Sequence, residues 1–393
     1  MATVTVSSAE NALKSYYLDA IKEELDNKIS PFLAAIEKTS NDVYGKEVVR
    51  VIQTGLNGGV GVGDEDGNLP RANGNRYMKF TAPLKNIYGT IQISDKALRA
   101  SSNNSGAVVD LLNAEMEGLV KSAKYTLNKM IFGSSNASNS SIVSVMGADT
   151  VIVNTLKGLE EGMVVDIEGA EDRFKNVAIT KISRFDKVVI FDREIFNTGE
   201  IGLPSTKKIF IQGSTMNNNL QLTGLDEIIS DAGTLYGVER TESDYMRSYV
   251  ATAIGELTEE KFADALDEVE NNAGEPVNMI ICSIKSRKAL KKALLNNVSL
   301  TMAEGDINGG KKVLTYNGIP VVVDSFCPDD TIYLVNTNDF ELHQLCDWEW
   351  MQGENGEILK QVPGKPVYTA TLVKYAELIC TKPCGQGVLK GIN

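Results

Sequence analysis

The chain has 393 residues, more than one core of ordinary size holds, so two or three domains are expected. Its net charge of −13 is the wrong sign for a protein whose task is to grip phosphates. Five scattered cysteines make no disulfide framework and imply a reducing compartment, no run is long and apolar enough to span a bilayer, and no secretory signal opens the chain.

In chain order, Ser8 to Lys38 reads as two amphipathic helical pieces. Leu13, Tyr17, Ile21 and Leu25 make one face, and Pro31 starts a new turn. Two readings stand: a core helix, or an arm that finds its partner on another subunit. From Glu47 to Ser94 the pattern suggests a long two-stranded excursion. Val48, Val49, Val51 and Ile52 form one strand, and Tyr77 to Ala82 and Ile87 to Ile93 alternate polar with apolar residues. Between them, Thr54 to Asn75 is rich in glycine, with only Leu56, Val60, Val62 and Leu69 as sizeable apolar residues. Such a tip cannot bury a core of its own and is expected to touch something else.

A long helix is predicted over Ser105 to Phe132. Val108, Leu112, Met116, Leu119, Ala123, Leu127 and Met130 hold one stripe apolar. Asn103, Asn104 or Ser105 can cap its start, and Gly133 suits a left-handed position past its end. Acids in its first half and lysines in its second complement the helix dipole. It carries no motif for chemistry and reads as a beam.

Ser134 to Ser141 reads as a linker. Short apolar runs then follow at Val151–Val153, Met163–Ile167, Val177–Ile182, Val188–Phe191 and Ile209–Ile211, the texture of a small inserted β-barrel or sandwich. From Gly224 the pattern is mixed. Thr258 can cap a helix bearing Phe262, Ala265, Leu266 and Val269 and ending near Gly274. A strand, Val277 to Cys282, precedes a helix capped by Ser283 and crowded with Lys285, Arg287, Lys288, Lys291 and Lys292. Those cations make either a solvated face or a contact to an acidic neighbour. Val313–Tyr316, Ile319–Val323, Thr331–Val335 and Val367–Thr381 are predicted strands.

Several chemical motifs begin and fail. Gly305, Gly310 and Lys311 have phosphate-loop spacing, but Lys312 stands where serine or threonine must hold magnesium. Gly58, Gly59, Gly61 and Gly63 do not complete a dinucleotide fingerprint. Asp64, Asp66 and Asn68 begin a calcium loop that Leu69 ends. His343, Cys346, Cys380 and Cys384 could supply soft ligands, against the plainer reading of buried or loop cysteines beside a lone histidine. No cofactor, metal or catalytic residue is expected, and the protein is read as not an enzyme.

A more specific pattern begins at Asn317. Gly318 to Val323, Asp324, a turn with Pro328 and Asp330, then Thr331 to Val335, Asn336 and Phe340 resemble the late strand pair of tailed-bacteriophage major capsid proteins, the family with the Hong Kong ninety-seven capsid fold. Ile91 to Leu98 resembles that family's turn from its extended loop into its long helix. Gly224 to Ile228 and Tyr236 to Arg240, with Tyr249 beyond, resemble its approach to the axial domain, and Val277 to Leu294 its strand and short basic helix.

The resemblance implies an α+β fold with an N-terminal arm (1–45), an extended β-loop (46–93) and a peripheral domain with a long spine helix (94–148). A small inserted β-domain (149–216), an axial domain (217–365) and a closing peripheral strand (366–393) would follow. It implies self-assembly into hexamers and pentamers of an icosahedral head around double-stranded DNA held only non-specifically. Assembly would take place in the host cytoplasm and end in the virion, with no membrane. A separate scaffolding protein is expected, because little precedes the arm. A portal and decoration proteins are further partners, and no covalent cross-link is assumed. Arg71, Arg76 and Lys79 on the loop are expected to meet acids of a neighbouring subunit, with Glu115 and Glu117 as candidates. The alternative is an encapsulin-type shell of a cellular compartment.

Overall fold

The computed structural model describes residues 30–96, 107–295, 314–353 and 356–393. The first of the two expected N-terminal helical pieces, the caps at 103–105 and the loop around Gly305 to Lys312 lie outside the described residues; the second piece is shorter than expected, ending at Ala35 ahead of a strand at Glu37–Thr39. Helix α1 (Pro31–Ala35) leads into β1 (Glu37–Thr39), β2 (Val43–Tyr44), β3 (Glu47–Gly55), β4 (Arg76–Pro83) and β5 (Lys85–Ser94). Helix α2 (Ala107–Ile131) follows, then β6 (Ser140–Val145), β7 (Thr150–Val153), β8 (Val164–Ile167), β9 (Val177–Ser183), β10 (Val188–Phe191) and β11 (Lys208–Ile211). Next come α3 (Leu225–Ile228), β12 (Thr234–Leu235), β13 (Val238–Glu239), β14 (Tyr249–Ala251), α4 (Glu259–Ala273), β15 (Met279–Cys282) and α5 (Ile284–Leu295). The chain closes with β16 (Leu314–Tyr316), β17 (Ile319–Val323), β18 (Ile332–Val335), β19 (Phe340–Trp350), β20 (Lys360–Gln361), β21 (Val367–Cys380) and β22 (Gly387–Leu389). No described helix is long and apolar enough to cross a membrane.

Strand β21 is the hub of a five-stranded sheet, pairing antiparallel with β19, β20 and β5, while β1 adds in parallel to β19. Helix α2 lies on this sheet. Met116, Ala123, Leu127 and Met130 of the predicted stripe are buried with Ile87, Ile91, Trp348, Trp350 and Leu372. Gly89 on β5 permits the close approach, since a Cβ there would stand 2.9 Å from Leu119 Cδ1. The strand expected from Ile87 to Ile93 therefore belongs to this sheet rather than to the excursion. Its alternate residues Ile87, Ile91 and Ile93 are buried, and β21 supplies its hydrogen bonds.

Residues 140–211 form a closed barrel in the order β10-β7-β6-β11-β8-β9, with β9 paired to β10. Closure leaves no free sheet edge. Alternate residues fill it, including Ile142, Val151, Val165, Val177, Val189 and Ile209; each fully buried aliphatic side chain contributes roughly 1.5–3 kcal/mol. Its first strand, β6, lies upstream of the apolar runs in the sequence, because serines interleave its inward Ile142 and Val145. Residues 134–139 are not a loose linker. Ser135 and Asn139 are buried, the Gln221 N–H donates to the Ser135 carbonyl at 3.0 Å, and Gln221 Nε2 donates to the Ala137 carbonyl at 2.6 Å.

A six-stranded sheet in the order β14-β22-β18-β15-β17-β16 makes the third unit. Helices α4 and α5 share a core with it through Phe262, Leu266, Val269, Leu290 and Leu294. The caps are those the sequence predicts. Thr258 accepts from the Lys261 N–H, Gly274 is left-handed at φ +67°, and the Ser286 N–H donates to Ser283 Oγ at 3.0 Å. A separate core, with Phe32, Phe80, Phe132, Tyr333 and Phe340, joins this sheet to the five-stranded one.

Two residues fix the joint between α2 and α3. Gly133 is not in the left-handed region, contrary to the expectation for it. The last carbonyls of α2 are instead approached by Gly224, where a Cβ would meet the oxygens of Met130, Ile131 (2.6 Å) and Gly133 (2.5 Å). Arg240 is 1% exposed, and its guanidinium donates to the carbonyls of Glu227 (2.6 Å), Ile228 (3.0 Å) and Met246. It thereby closes the C-terminal end of α3.

Candidate assembly surfaces

Strands β3 and β4 form a ribbon from Glu47 opposite Pro83 to Gln53 opposite Tyr77, after which the register shifts and Gly55 stands opposite Arg76. At its root Val48, Phe80 and Ala82 are buried in the core. Outward the apolar cover ends. Leu56, Val60, Val62 and Leu69 at the tip are 90% exposed or more. The tip's hydrogen bonds are local, such as Gly59 N–H to Asn57 Oδ1 at 2.9 Å and Gly67 N–H to the Asp64 carbonyl at 3.1 Å. Glycines leave no side chain to bury, and among the described residues nothing covers the four apolar side chains.

The five predicted contact residues are all exposed. Arg71 lies in the tip, Arg76 and Lys79 on β4, and Glu115 and Glu117 on α2. None forms an ion pair with another described residue, and within one subunit the two sets are not brought together.

The root of the ribbon is held by a polar cluster that the sequence reading missed. Arg50 on β3 pairs with Glu341 on β19 and lies 4.0 Å from Asp42. His343 is fully buried; its Nδ1 donates to the Asn41 carbonyl at 2.9 Å, and its Nε2 stands 3.1 Å from Glu341. The ring therefore ties the segment before the ribbon to the central sheet. The described residues hold no group of three or more metal-ligating side chains. In the sequence His343 stands only beside Cys346, Cys380 and Cys384 as a possible soft ligand; its bond to Asn41 joins positions 302 residues apart.

Where the chain returns from the ribbon, Lys85 Nζ donates to the Asn219 carbonyl at 2.7 Å and lies 3.9 Å from Glu377 Oε2. Glu377 is fully buried, and its Oε1 accepts from the Thr223 and Leu378 N–H groups. Burial pushes its carboxyl from 4.5 up to about 8, against the opposing pull of Lys85. A folded pKa above the unfolded one makes the native state the tighter proton binder, so this contribution is full below pH 4.5 and is lost as pH rises through about 8. Glu377→Gln keeps the Oε1 acceptor and removes the titration. Its thermal midpoint is expected to match the parent's at acidic pH and to exceed it above pH 8, by the equivalent of about 2–4 kcal/mol. Melts across that pH range check this; parallel curves would refute it.

The model of the SU10 major capsid protein family matches residues 30–356. The chain belongs to the SU10 major capsid protein family. No curated protein matches it. Among solved structures it is similar to the cyanophage A-1(L) capsid asymmetric unit, at 13% identity and a TM-score of 0.56 over 93% of both chains. It is also similar to the capsid of an empty GTA particle, at 10% identity and a TM-score of 0.50 over 92% of this chain and 89% of that one. The holo-SrpI encapsulin complex from Synechococcus elongatus PCC 7942 matches at 9% identity and a TM-score of 0.49, over 93% of this chain and 89% of that one. At such identities the likeness is one of fold, and that fold is the Hong Kong ninety-seven phage-capsid fold. As a member of a phage major capsid protein family, the chain is a component of the virion capsid.

Proposed function

We propose that this chain is the repeating subunit of an icosahedral phage head, assembling with itself into hexamers and pentamers around a double-stranded DNA genome, with a structural rather than catalytic role. The observation that carries this reading is the ribbon tip, whose apolar residues Leu56, Val60, Val62 and Leu69 stand uncovered. In a shell the tip lies across a neighbouring subunit, where Arg71, Arg76 and Lys79 meet that subunit's Glu115 and Glu117. Each exposed pair contributes only about 0–1 kcal/mol, but repeated around a shell they make assembly salt-sensitive. The acidic balance of the chain suits a container that encloses phosphates without gripping them. A scaffolding protein, a portal and decoration proteins complete the proposed set of partners.

Hydrogen exchange on free capsomers and on shells tests the reading. Amides of residues 56–75 are expected to exchange almost freely in capsomers and to gain protection on assembly, more than the barrel residues 140–211 do. Equal exchange in both states would place the tip on its own subunit. A chain that stays monomeric at every salt and concentration, with or without scaffold, would end the proposal. Particles holding protein cargo in place of DNA would favour the encapsulin-type reading.

A further inference from the structure

Helices α4 and α5 stand side by side in one core on the six-stranded sheet, and their exposed faces carry opposite charge. On α4, Asp264, Asp267 and Glu268 are exposed; on α5, Arg287, Lys288 and Lys291 are exposed. None of these six pairs with a described residue. The described ion pair between this region's two charged stretches is Lys292 with Glu256, which precedes α4, at 2.8 Å.

Local helix physics does not account for the arrangement. Arg287 with Lys291, and Asp264 with Glu268, are like charges four residues apart, which repel along a helix. Lys285, in the first turn of α5, stands at the wrong end of its helix dipole. A single subunit thus concentrates repulsion on each helix without bringing the two sets together.

We infer that the acidic face of α4 on one copy docks on the basic face of α5 on the next, a head-to-tail contact between copies of this chain. A contact between two different patches of the same molecule closes into rings when the rotation between copies is right. This rests on the assembly reading above and names a second contact for it, distinct from the ribbon. Opposed charges across such a contact set register and speed encounter more than they add affinity.

The test uses the full-length chain in two variants. One, Asp264→Lys with Asp267→Lys and Glu268→Lys, makes both faces basic; the other, Arg287→Glu with Lys288→Glu and Lys291→Glu, makes both acidic. All six positions are exposed, so each variant is expected to melt as the parent does. By sedimentation, each alone should need about tenfold or more protein to form capsomers, and an equimolar mixture should recover the parental yield of hexamers, an even ring in which the two variants can alternate. Recovery on mixing also shows that each variant is folded. Either variant assembling alone like the parent would overturn the inference while leaving the assembly reading intact. So would normal assembly of the acidic variant with less DNA retained, since α5 would then face nucleic acid. Recovery that stops at dimers would overturn the head-to-tail arrangement. Parental chain that never assembles would bring down both readings.

Discussion

Gly224→Ala is expected to leave little soluble, folded protein. The added methyl group would enter the space between three backbone oxygens at the end of α2, those of Met130, Ile131 and Gly133. Backbone cannot swing aside as a flexible side chain can, so either α2 loses its last turn or α3 moves off its core. Leu225 and Ile228, both fully buried, would move with it. The cost should be about 3 kcal/mol or more. Gly118→Ala on the same helix is the control. A Cβ there meets nothing within 4 Å, and alanine should stabilise the helix by about 0.5–1 kcal/mol. Soluble yield and thermal midpoint of the two variants are the measurement, and similar behaviour in both would refute the close packing described for Gly224.

Arg240→Met should be nearly as damaging, although methionine has a similar length and suits an apolar site. The guanidinium is the hydrogen-bond partner of the Glu227, Ile228 and Met246 carbonyls, and methionine leaves all three without it in a site closed to water. A loss of about 3–5 kcal/mol is expected. Arg240→Lys should recover little of it, because an ammonium lacks the planar fork that reaches several carbonyls at once. Chemical denaturation of the three proteins decides the matter. A lysine variant as stable as the parent would mean that charge, and not the fork, is what the site requires.

Both positions were visible in the sequence only as letters of a family pattern, Gly224 to Ile228 and Tyr236 to Arg240. Gly224 works against a distant segment, the end of α2, and Arg240 reaches across a turn to the Glu227, Ile228 and Met246 carbonyls; Tyr236, in the same pattern, has its hydroxyl bonded to the distant Leu378 carbonyl and Cys380 N–H at 2.9 and 3.0 Å. Elements whose pattern is local were legible. Helix α2, the α4 caps, most barrel strands and β21 follow from periodicity and capping chemistry alone. Strand β19 was not, although it pairs along the hub β21. Its residues include Glu341, His343, Gln344 and Asp347, which find partners in Arg50, the Asn41 carbonyl and the deeply buried Lys374. Polar residues satisfied by long-range partners erase the alternation that marks a strand. The ribbon tip was legible for the opposite reason, since a glycine-rich stretch with four isolated apolar residues has nothing local to satisfy it. The surface proposed to receive the tip lies on a second subunit, so no contact within the described residues marks it.

The barrel's two connections run beside each other, joined by the Ser135–Gln221 hydrogen bonding, and a further bridge ties Lys157 to Asp329 at 2.5 Å and to the Cys327 carbonyl at 2.7 Å. Seen from the rest of the molecule, residues 140–211 are a detour that leaves and returns at nearly one point. The entropy cost of closing a chain across such a gap grows only slowly with the length looped out, by about 0.6 kcal/mol for each doubling. The site is therefore a natural graft point. A foreign domain with adjacent termini could replace the barrel while α2 and α3 keep their places, so cargo could be displayed once per subunit at a spacing set by the shell.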